Sequence, residues 1–233
     1  MARAVHKPSA RKPAATKPAG RKLDEPARIA KIVSGLEALY PDAHCELDFA
    51  SPFQLLIATI LSAQCTDKRV NLVTPSLFAR FPDAAAMSVA EPRELEAIIR
   101  STGFYHNKAK NILGAARVLM EDFDGVVPRE MDALLTLPGV ARKTANVVLG
   151  SAFGQNVGFV VDTHIARLSD RLRLTRERDP VKIERDLMKK LPQAKWTQLG
   201  HQLIWHGRRV CHARTPDCAG CALQPECPSA GKC

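Results

Sequence analysis

Apolar residues recur at helical spacing along most of this 233-residue chain. From Ala27 to the last cysteines, apolar side chains repeat every three or four positions, and no segment alternates polar and apolar residues long enough to predict a strand. Helix starts are also marked. Ser51 and Gln54 form a capping-box pair around Pro52, a residue that suits the first helical position, and Thr66 is placed to cap the following helix. The pattern therefore predicts an all-α protein.

Turns rich in proline, glycine and aspartate separate the expected helices. Beyond the helix that starts at Pro52 and the one capped by Thr66, we expect helices over residues 27–40, 92–101, 106–122, 128–136, 141–153, 163–172, 180–190 and 196–210. A chain of this length with 45% hydrophobic residues can bury a substantial core, as one large domain or two small ones.

The chain is strongly basic, and most of its excess charge lies at one end. It carries 34 Lys and Arg against 24 Asp and Glu, which gives a net charge of +10 and a pI near 9.5. Residues 1–22 hold seven of the basic residues and no acidic one, so about +3 remains on the rest of the chain. This balance favours a polyanionic partner, nucleic acid before membrane.

The basic segment, residues 1–27, has no apolar run, which predicts disorder. A mitochondrial presequence would also be basic, but the prolines and the lack of an amphipathic face argue against one. The most apolar stretch, residues 53–63, is too short and too often interrupted by polar residues to span a bilayer, so we expect no membrane partner. Seven cysteines without a secretory signal indicate a reducing compartment, in which clustered cysteines more often bind metal than form disulfides.

A proline-glycine hairpin at Pro138 and Gly139 leads directly into a predicted helix. The free N–H groups at the start of a helix favour phosphate and disfavour an ammonium group. Lys143 lies on the first turn beside Arg142, so its neutral amine is favoured, and a neutral amine is a nucleophile. The hairpin alone leaves two roles open for Lys143, contact with phosphate and catalysis.

Asp162 lies where the next helix begins, and its simplest role is to cap that helix. A catalytic role is compatible with capping, because a carboxylate held by backbone amides stays ionised and fixed in direction. A lone histidine on a helix is more often structural, so His164 receives no catalytic role.

Four cysteines near the end of the chain have the spacing C-x6-C-x2-C-x5-C: Cys211, Cys218, Cys221 and Cys227. Four thiolates this close predict a metal centre. Zinc sites of this ligand type usually have two C-x2-C pairs whereas this chain has one, and the common ferredoxin spacings also differ. The spacing thus predicts a metal and leaves its identity open, with zinc as the alternative. The remaining cysteines show no paired spacing and are expected to be small buried or terminal residues: Cys45, Cys65 and Cys233.

Two further segments suit contact with a DNA duplex. Gln64 is a polar residue at the end of an apolar helix, and Phe104 lies in a glycine-led turn with basic residues nearby. Loop aromatics beside positive charge can stack on bases or wedge between them. Simple packing is the alternative for both residues.

Together these motifs resemble the endonuclease III family of DNA glycosylases, in the helix-hairpin-helix superfamily. The resemblance runs from about residue 28 to the end and rests on four motifs in the same order: residues 61–64, 137–148, 161–164 and the four-cysteine spacing. It implies two helical domains with a cleft between them. Residues 45–156 would form a six-helix domain, and residues 28–44 with 157–233 would form a discontinuous iron-sulfur cluster domain.

The resemblance also implies a bifunctional DNA glycosylase and abasic-site lyase that removes oxidised pyrimidines from duplex DNA in base excision repair. Lys143 would attack the sugar C1′ of a flipped nucleotide, Asp162 would stabilise positive charge on the opening sugar, and β-elimination would nick the abasic strand. The four cysteines would hold a [4Fe-4S] cluster. A monomer in the bacterial cytoplasm, associated with the nucleoid, is expected. The expected DNA contacts are Gln64, Phe104, Gly139, Ala141, Arg142 and Thr144.

Three features depart from the family pattern. Ala141 replaces a second hairpin glycine, Phe104 is aromatic where the family wedge is usually aliphatic, and the loop between Cys211 and Cys218 has only Arg214 as a fixed positive charge. Two other interpretations remain at this point. One is an adenine-mismatch glycosylase, which lacks the lysine, and the other is a non-catalytic DNA-binding protein with a structural metal.

Overall fold

The computed structural model describes residues 25–233, and within them it contains helices and connecting loops but no strand. This confirms the all-α prediction. No helix of the described part is both long and apolar enough to cross a membrane. Short 3-10 turns lie at Arg100–Thr102, Gln193–Lys195 and Gln224–Glu226. The α-helices are α1 Glu25–Leu39, α2 Pro52–Leu61, α3 Asp67–Arg80, α4 Ala84–Ser88, α5 Pro92–Ile99, α6 Tyr105–Asp122, α7 Met131–Thr136, α8 Arg142–Phe153, α9 Thr163–Arg171, α10 Pro180–Lys190 and α11 Trp196–Arg209.

Most of these helices lie where the apolar spacing places them, with three differences. The first helix begins at Glu25, two residues before its predicted start, so the disordered tail expected over residues 1–27 lies mostly outside the described residues. Helix α7 begins at Met131 rather than at residue 128. The sequence analysis missed α4, because five residues are too few to show a helical period.

The predicted caps at the start of α2 and α3 are present. Ser51 Oγ accepts a hydrogen bond from the Gln54 N–H at 3.2 Å, and Thr66 Oγ1 accepts one from the Arg69 N–H at 3.3 Å. The Gln54 side chain reaches back one residue further than a capping box requires, because its Oε1 accepts from the Ala50 N–H at 2.8 Å. These caps fix the starts of the apolar helix α2 and of α3.

The buried apolar side chains form two clusters. The first extends from Leu47 to Leu149 and includes a fully buried run of α2, residues 55–58. The second combines α1 with the later helices and includes Ile32, Phe159 and Leu203. The chain passes from one cluster to the other between residues 43 and 47 and again between residues 149 and 159.

Helix α8 joins the two clusters. Its buried residues Ala145 and Val148 belong to the first cluster, while Gly150 faces α11. A Cβ atom at Gly150 would lie 2.5 Å from Thr197 Oγ1, so only glycine permits this close approach of the helices. Residues near this junction line the cleft that contains the candidate site.

Candidate active site

A cleft with about 640 Å³ of empty space, part of which is open to solvent, lies between the two core clusters. Its lining comes from the loop before α2, from α8, from the start of α9 and from α11. The residues of this lining that determine its charge and hydrogen bonding are Glu46, Asp67, Lys143, Asn146, Ser151, Asp162, His201 and Arg208.

The hairpin before α8 has the geometry that its glycine predicts. After α7 ends, the Val140 N–H donates to the Leu137 carbonyl at 3.1 Å, which closes the turn. Gly139 has a φ of +78°, a left-handed conformation that favours glycine. A Cβ atom there would also lie 2.8 Å from Asn111 Cβ, so the turn requires glycine for packing as well.

The first turn of α8 has no side-chain cap, because Ala141 occupies the capping position. Its first N–H groups therefore have no intrahelical partner and are available to a bound anion. Ala141 is exposed and has an ordinary extended backbone with a φ of −97°, so glycine is not needed there for conformation. Thr144 is buried, which leaves only its backbone N–H for a phosphate contact.

Lys143 and Asp162 lie on the walls of this one cleft, so the structure brings together the two predicted catalytic residues. Lys143 is exposed on the first turn of α8 and makes no ion pair among residues 25–233. Asp162 caps α9 as predicted, since its Oδ1 accepts from the Ile165 N–H at 2.8 Å. Within the described part of the chain the other carboxylate oxygen of Asp162 has no hydrogen-bond partner.

Arg142 is held by an ion pair that the sequence did not reveal. Its Nε donates to Glu184 Oε2 at 2.7 Å, and Asn146 Nδ2 donates to Glu184 Oε1 at 2.9 Å. Glu184 lies in α10 and is only 4% exposed. This hydrogen bond raises the pKa of Arg142. The guanidinium thus anchors the start of α8 to the second core cluster.

A second charged network crosses the cleft wall. Arg208 of α11 donates hydrogen bonds from one guanidinium nitrogen to Glu46 and from the other to Asp67 Oδ2 at 2.7 Å. These carboxylates raise the pKa of Arg208 against the opposing effect of burial. His201 Nε2 lies 3.2 Å from Ser151 Oγ, and burial lowers the pKa of His201 to about 4. The sequence analysis missed these residues.

The structure places Gln64 and Phe104 on exposed turns in the left-handed backbone region, with φ values of 51° and 48°. Phe104 is 65% exposed, so the alternative that it packs in the core is wrong. An exposed aromatic ring on a tight turn can insert into a duplex.

The four spaced cysteines surround a second cavity of about 400 Å³. All four are half-buried and free of disulfides, and the cavity wall includes apolar side chains such as Leu168 and Leu172. Arg171 Nη1 donates to Cys211 Sγ at 3.3 Å. No three His, Cys, Asp or Glu side chains within residues 25–233 converge closely enough to hold a single metal ion.

Cys233 also lines this cavity, although the sequence analysis treated it as a terminal residue without a partner. Its Sγ donates to the Ser229 carbonyl at 3.4 Å. Spacing along the sequence could not reveal this position, because the turn after Cys227 folds the end of the chain back over the cavity.

Comparisons with known proteins agree with this geometry. The model of the HhH-GPD superfamily base excision DNA repair proteins matches residues 57–193. An endonuclease III from Synechocystis sp. is 59% identical over 203 residues, which cover 87% of this chain and 93% of that protein. The endonuclease III of Escherichia coli is 40% identical over 201 residues, which cover 86% of this chain and 95% of that protein.

Two solved structures share the fold. A non-covalent endonuclease III–DNA complex is 42% identical with a TM-score of 0.85 and covers 89% of this chain and 97% of that one. A trapped endonuclease III–DNA covalent intermediate has the same identity and TM-score and covers 89% of this chain and 98% of that one. The chain belongs to the endonuclease III family of the HhH-GPD superfamily. This confirms the expected family, its fold, and the activity of a DNA glycosylase and abasic-site lyase in base excision repair.

Proposed function

We propose that Lys143 is the nucleophile and Asp162 the charge-stabilising carboxylate of an enzyme that excises oxidised pyrimidines from duplex DNA and nicks the abasic strand. The observation that carries this proposal is a contrast among the charged residues of the cleft. Glu46 and Asp67 both pair with Arg208, and Glu46 also pairs with Arg209 at 3.5 Å, whereas Lys143 and Asp162 are the lining residues with charged side chains that make no ion pair within residues 25–233.

The chemistry begins with a nucleotide flipped out of the duplex, because sugar C1′ is inaccessible inside the base stack. Lys143 Nζ forms a bond to C1′, and the C1′–base bond breaks with its electron pair leaving on the base, which takes up a proton. The ring opens to a protonated Schiff base. Loss of a C2′ proton then breaks the C3′–O bond and releases the 3′ phosphate.

Asp162 acts in these steps through its charge and its fixed direction. Its cap bond to the Ile165 N–H holds the carboxylate in one orientation, so it meets the developing positive charge without reorganisation. The same carboxylate accepts and returns protons during ring opening and elimination. Its capping role and its catalytic role therefore use one geometry.

The DNA contacts divide by chemistry. The amides around Gly139 and the uncapped first turn of α8, including the N–H groups of Ala141, Arg142 and Thr144, bind a backbone phosphate. Gln64 fills the space opposite the orphaned base, and Phe104 wedges into the stack.

The four spaced cysteines hold a [4Fe-4S] cluster. Their free, half-buried thiols around one partly apolar cavity, with an arginine N–H at Cys211, support this assignment, and zinc bound by the same four cysteines is the alternative. The four cysteine thiolates would hold the cluster, and such a bound group would cross-link residues 211–227. The two core clusters support the two domains, residues 45–156 and residues 28–44 with 157–233. A monomeric, cytoplasmic, nucleoid-associated protein stays a prediction.

The test is borohydride trapping on a duplex with one abasic site. Lys143→Gln should lose both the trapped adduct and β-elimination, while its binding to the duplex persists through the hairpin amides. Lys189→Gln, on the exposed face of α10 outside the cleft, is the matched control and should trap normally. Trapping by Lys143→Gln would exclude Lys143 as the nucleophile.

A further inference from the structure

One buried lysine belongs neither to the apolar core clusters nor to the proposed catalytic pair. Lys108 lies in the first turns of α6, and only 4% of it is exposed. Its Nζ donates to the Leu61 carbonyl at 2.8 Å and to the Thr102 carbonyl at 2.8 Å. Burial lowers the pKa of Lys108, so its charge is placed here against a desolvation cost.

The two acceptor carbonyls belong to the residues at which the two proposed DNA-contacting turns begin. Leu61 is the last residue of α2, three positions before Gln64. Thr102 ends the 3-10 turn that leads through Gly103 to Phe104. Leu61 and Thr102 are far apart in sequence, and no other side-chain hydrogen bond among residues 25–233 links the two turns.

Lys108 also contacts the Phe104 turn through its backbone, because its N–H donates to the Phe104 carbonyl at 3.1 Å. An ammonium group suits this position for two reasons. It has several donors and no acceptor, so it can serve two carbonyls at once. One of these carbonyls ends a helix, where the helix dipole favours a positive charge.

We propose that Lys108 is a positioning residue that sets the spacing between the Gln64 turn and the Phe104 turn, and thereby the efficiency with which a nucleotide is extracted from paired DNA. This inference rests on the proposed function, since it assigns both turns to the duplex. A role in stability alone would weaken every activity equally. A positioning role weakens the reaction only where extraction is required.

The test compares one variant on two substrates. Lys108→Met keeps most of the side-chain volume and removes the donors. Single-turnover release of thymine glycol from a paired duplex should fall by about tenfold or more, because extraction from a paired stack has a substantial cost. Schiff-base trapping on a single-stranded abasic oligonucleotide, which needs no extraction, should change by less than about twofold.

The matched control is Leu119→Ala, a fully buried change near the far end of the same helix. It should lower the melting temperature while leaving the ratio of the reaction rates on the two substrates unchanged. If Lys108→Met does not fold, Lys108→Gln, which retains an amide donor, should show a smaller loss of activity that is again confined to the paired duplex. In a double-mutant cycle, Phe104→Ala should mask much of the Lys108→Met effect, because both act through one turn.

Equal losses on the two substrates, or an unchanged rate on the paired duplex, would overturn the positioning role. Failure of the wild-type protein to form a borohydride-trapped adduct would instead overturn the proposed function. The two failures are therefore separate results of the same set of assays.

Discussion

Replacing Asp162 separates its capping role from its catalytic role. Asp162→Asn keeps a side-chain oxygen that can accept from the Ile165 N–H, but it removes the negative charge. Asp162→Ala removes both. The two variants should therefore be equally poor catalysts with different stabilities.

The expected changes in stability and in reaction rate follow from the loss of one cap hydrogen bond and of one negative charge. Loss of a helix cap costs about 1 kcal/mol, which corresponds to a melting temperature lowered by about 2–4 °C in a protein of this size. Asp162→Asn should lie within about 0.5 kcal/mol of the wild type. Loss of one preorganised electrostatic group slows a reaction by about 10²–10³-fold, so base release should fall by that factor in both variants.

The assay pairs thermal unfolding with single-turnover release of thymine glycol. Asp179 provides the control, because it caps α10 with its Oδ1 accepting from the Lys182 N–H at 3.0 Å and it does not line the cleft. Asp179→Ala should lose about as much stability as Asp162→Ala and keep its rate of base release. Near-normal base release by Asp162→Asn would refute the reasoning and leave Asp162 as a cap alone.

Three further predictions concern the cofactor, acid stability and the basic tail. Cys221→Ser should lose iron and visible absorption by elemental analysis and spectroscopy, while Cys233→Ser should keep both; stoichiometric zinc in colourless, active wild-type protein would contradict the cluster. His201 has a pKa lowered to about 4, so the folded state binds fewer protons than the unfolded state between that pH and 6.5. The free energy of unfolding should therefore fall on acidification through this window by at most about 3 kcal/mol, and denaturant titrations of His201→Gln should show a smaller fall; identical slopes would argue against the shift. Removal of residues 1–22 takes away seven cations and should reduce the dependence of DNA affinity on salt, whereas an unchanged slope would show that they do not contact DNA.

Local sequence signals were sufficient where a structure depends on neighbours along the chain. The positive φ of Gly139 and the cap at Asp162 each depend on a few consecutive residues, and both were predicted. Helices with several apolar turns, such as α6 and α11, were also predicted. Helix α4 was missed because its five residues complete too few turns to show a period.

The contacts that fix the cleft were not predictable in this way. Glu184 lies 42 positions from Arg142, Glu46 lies 162 positions from Arg208, and Leu61 lies 47 positions from Lys108. A charged residue that pairs over such separations leaves no local period, and in the sequence it is indistinguishable from a solvated surface charge. Only the tertiary packing of the helices brings these partners together.

These long-range pairs explain how the cleft can hold two unpaired charges. Arg142 pairs with Glu184, and Arg208 together with Arg209 pairs with Glu46 and Asp67, so the other charges of the cleft walls are matched. Because these groups already have partners, they do not compete for Lys143 or Asp162. The amine and the carboxylate thus keep their capacity to react with DNA, while the ion pair between Arg142 and Glu184 holds the start of α8, which carries Lys143, in place.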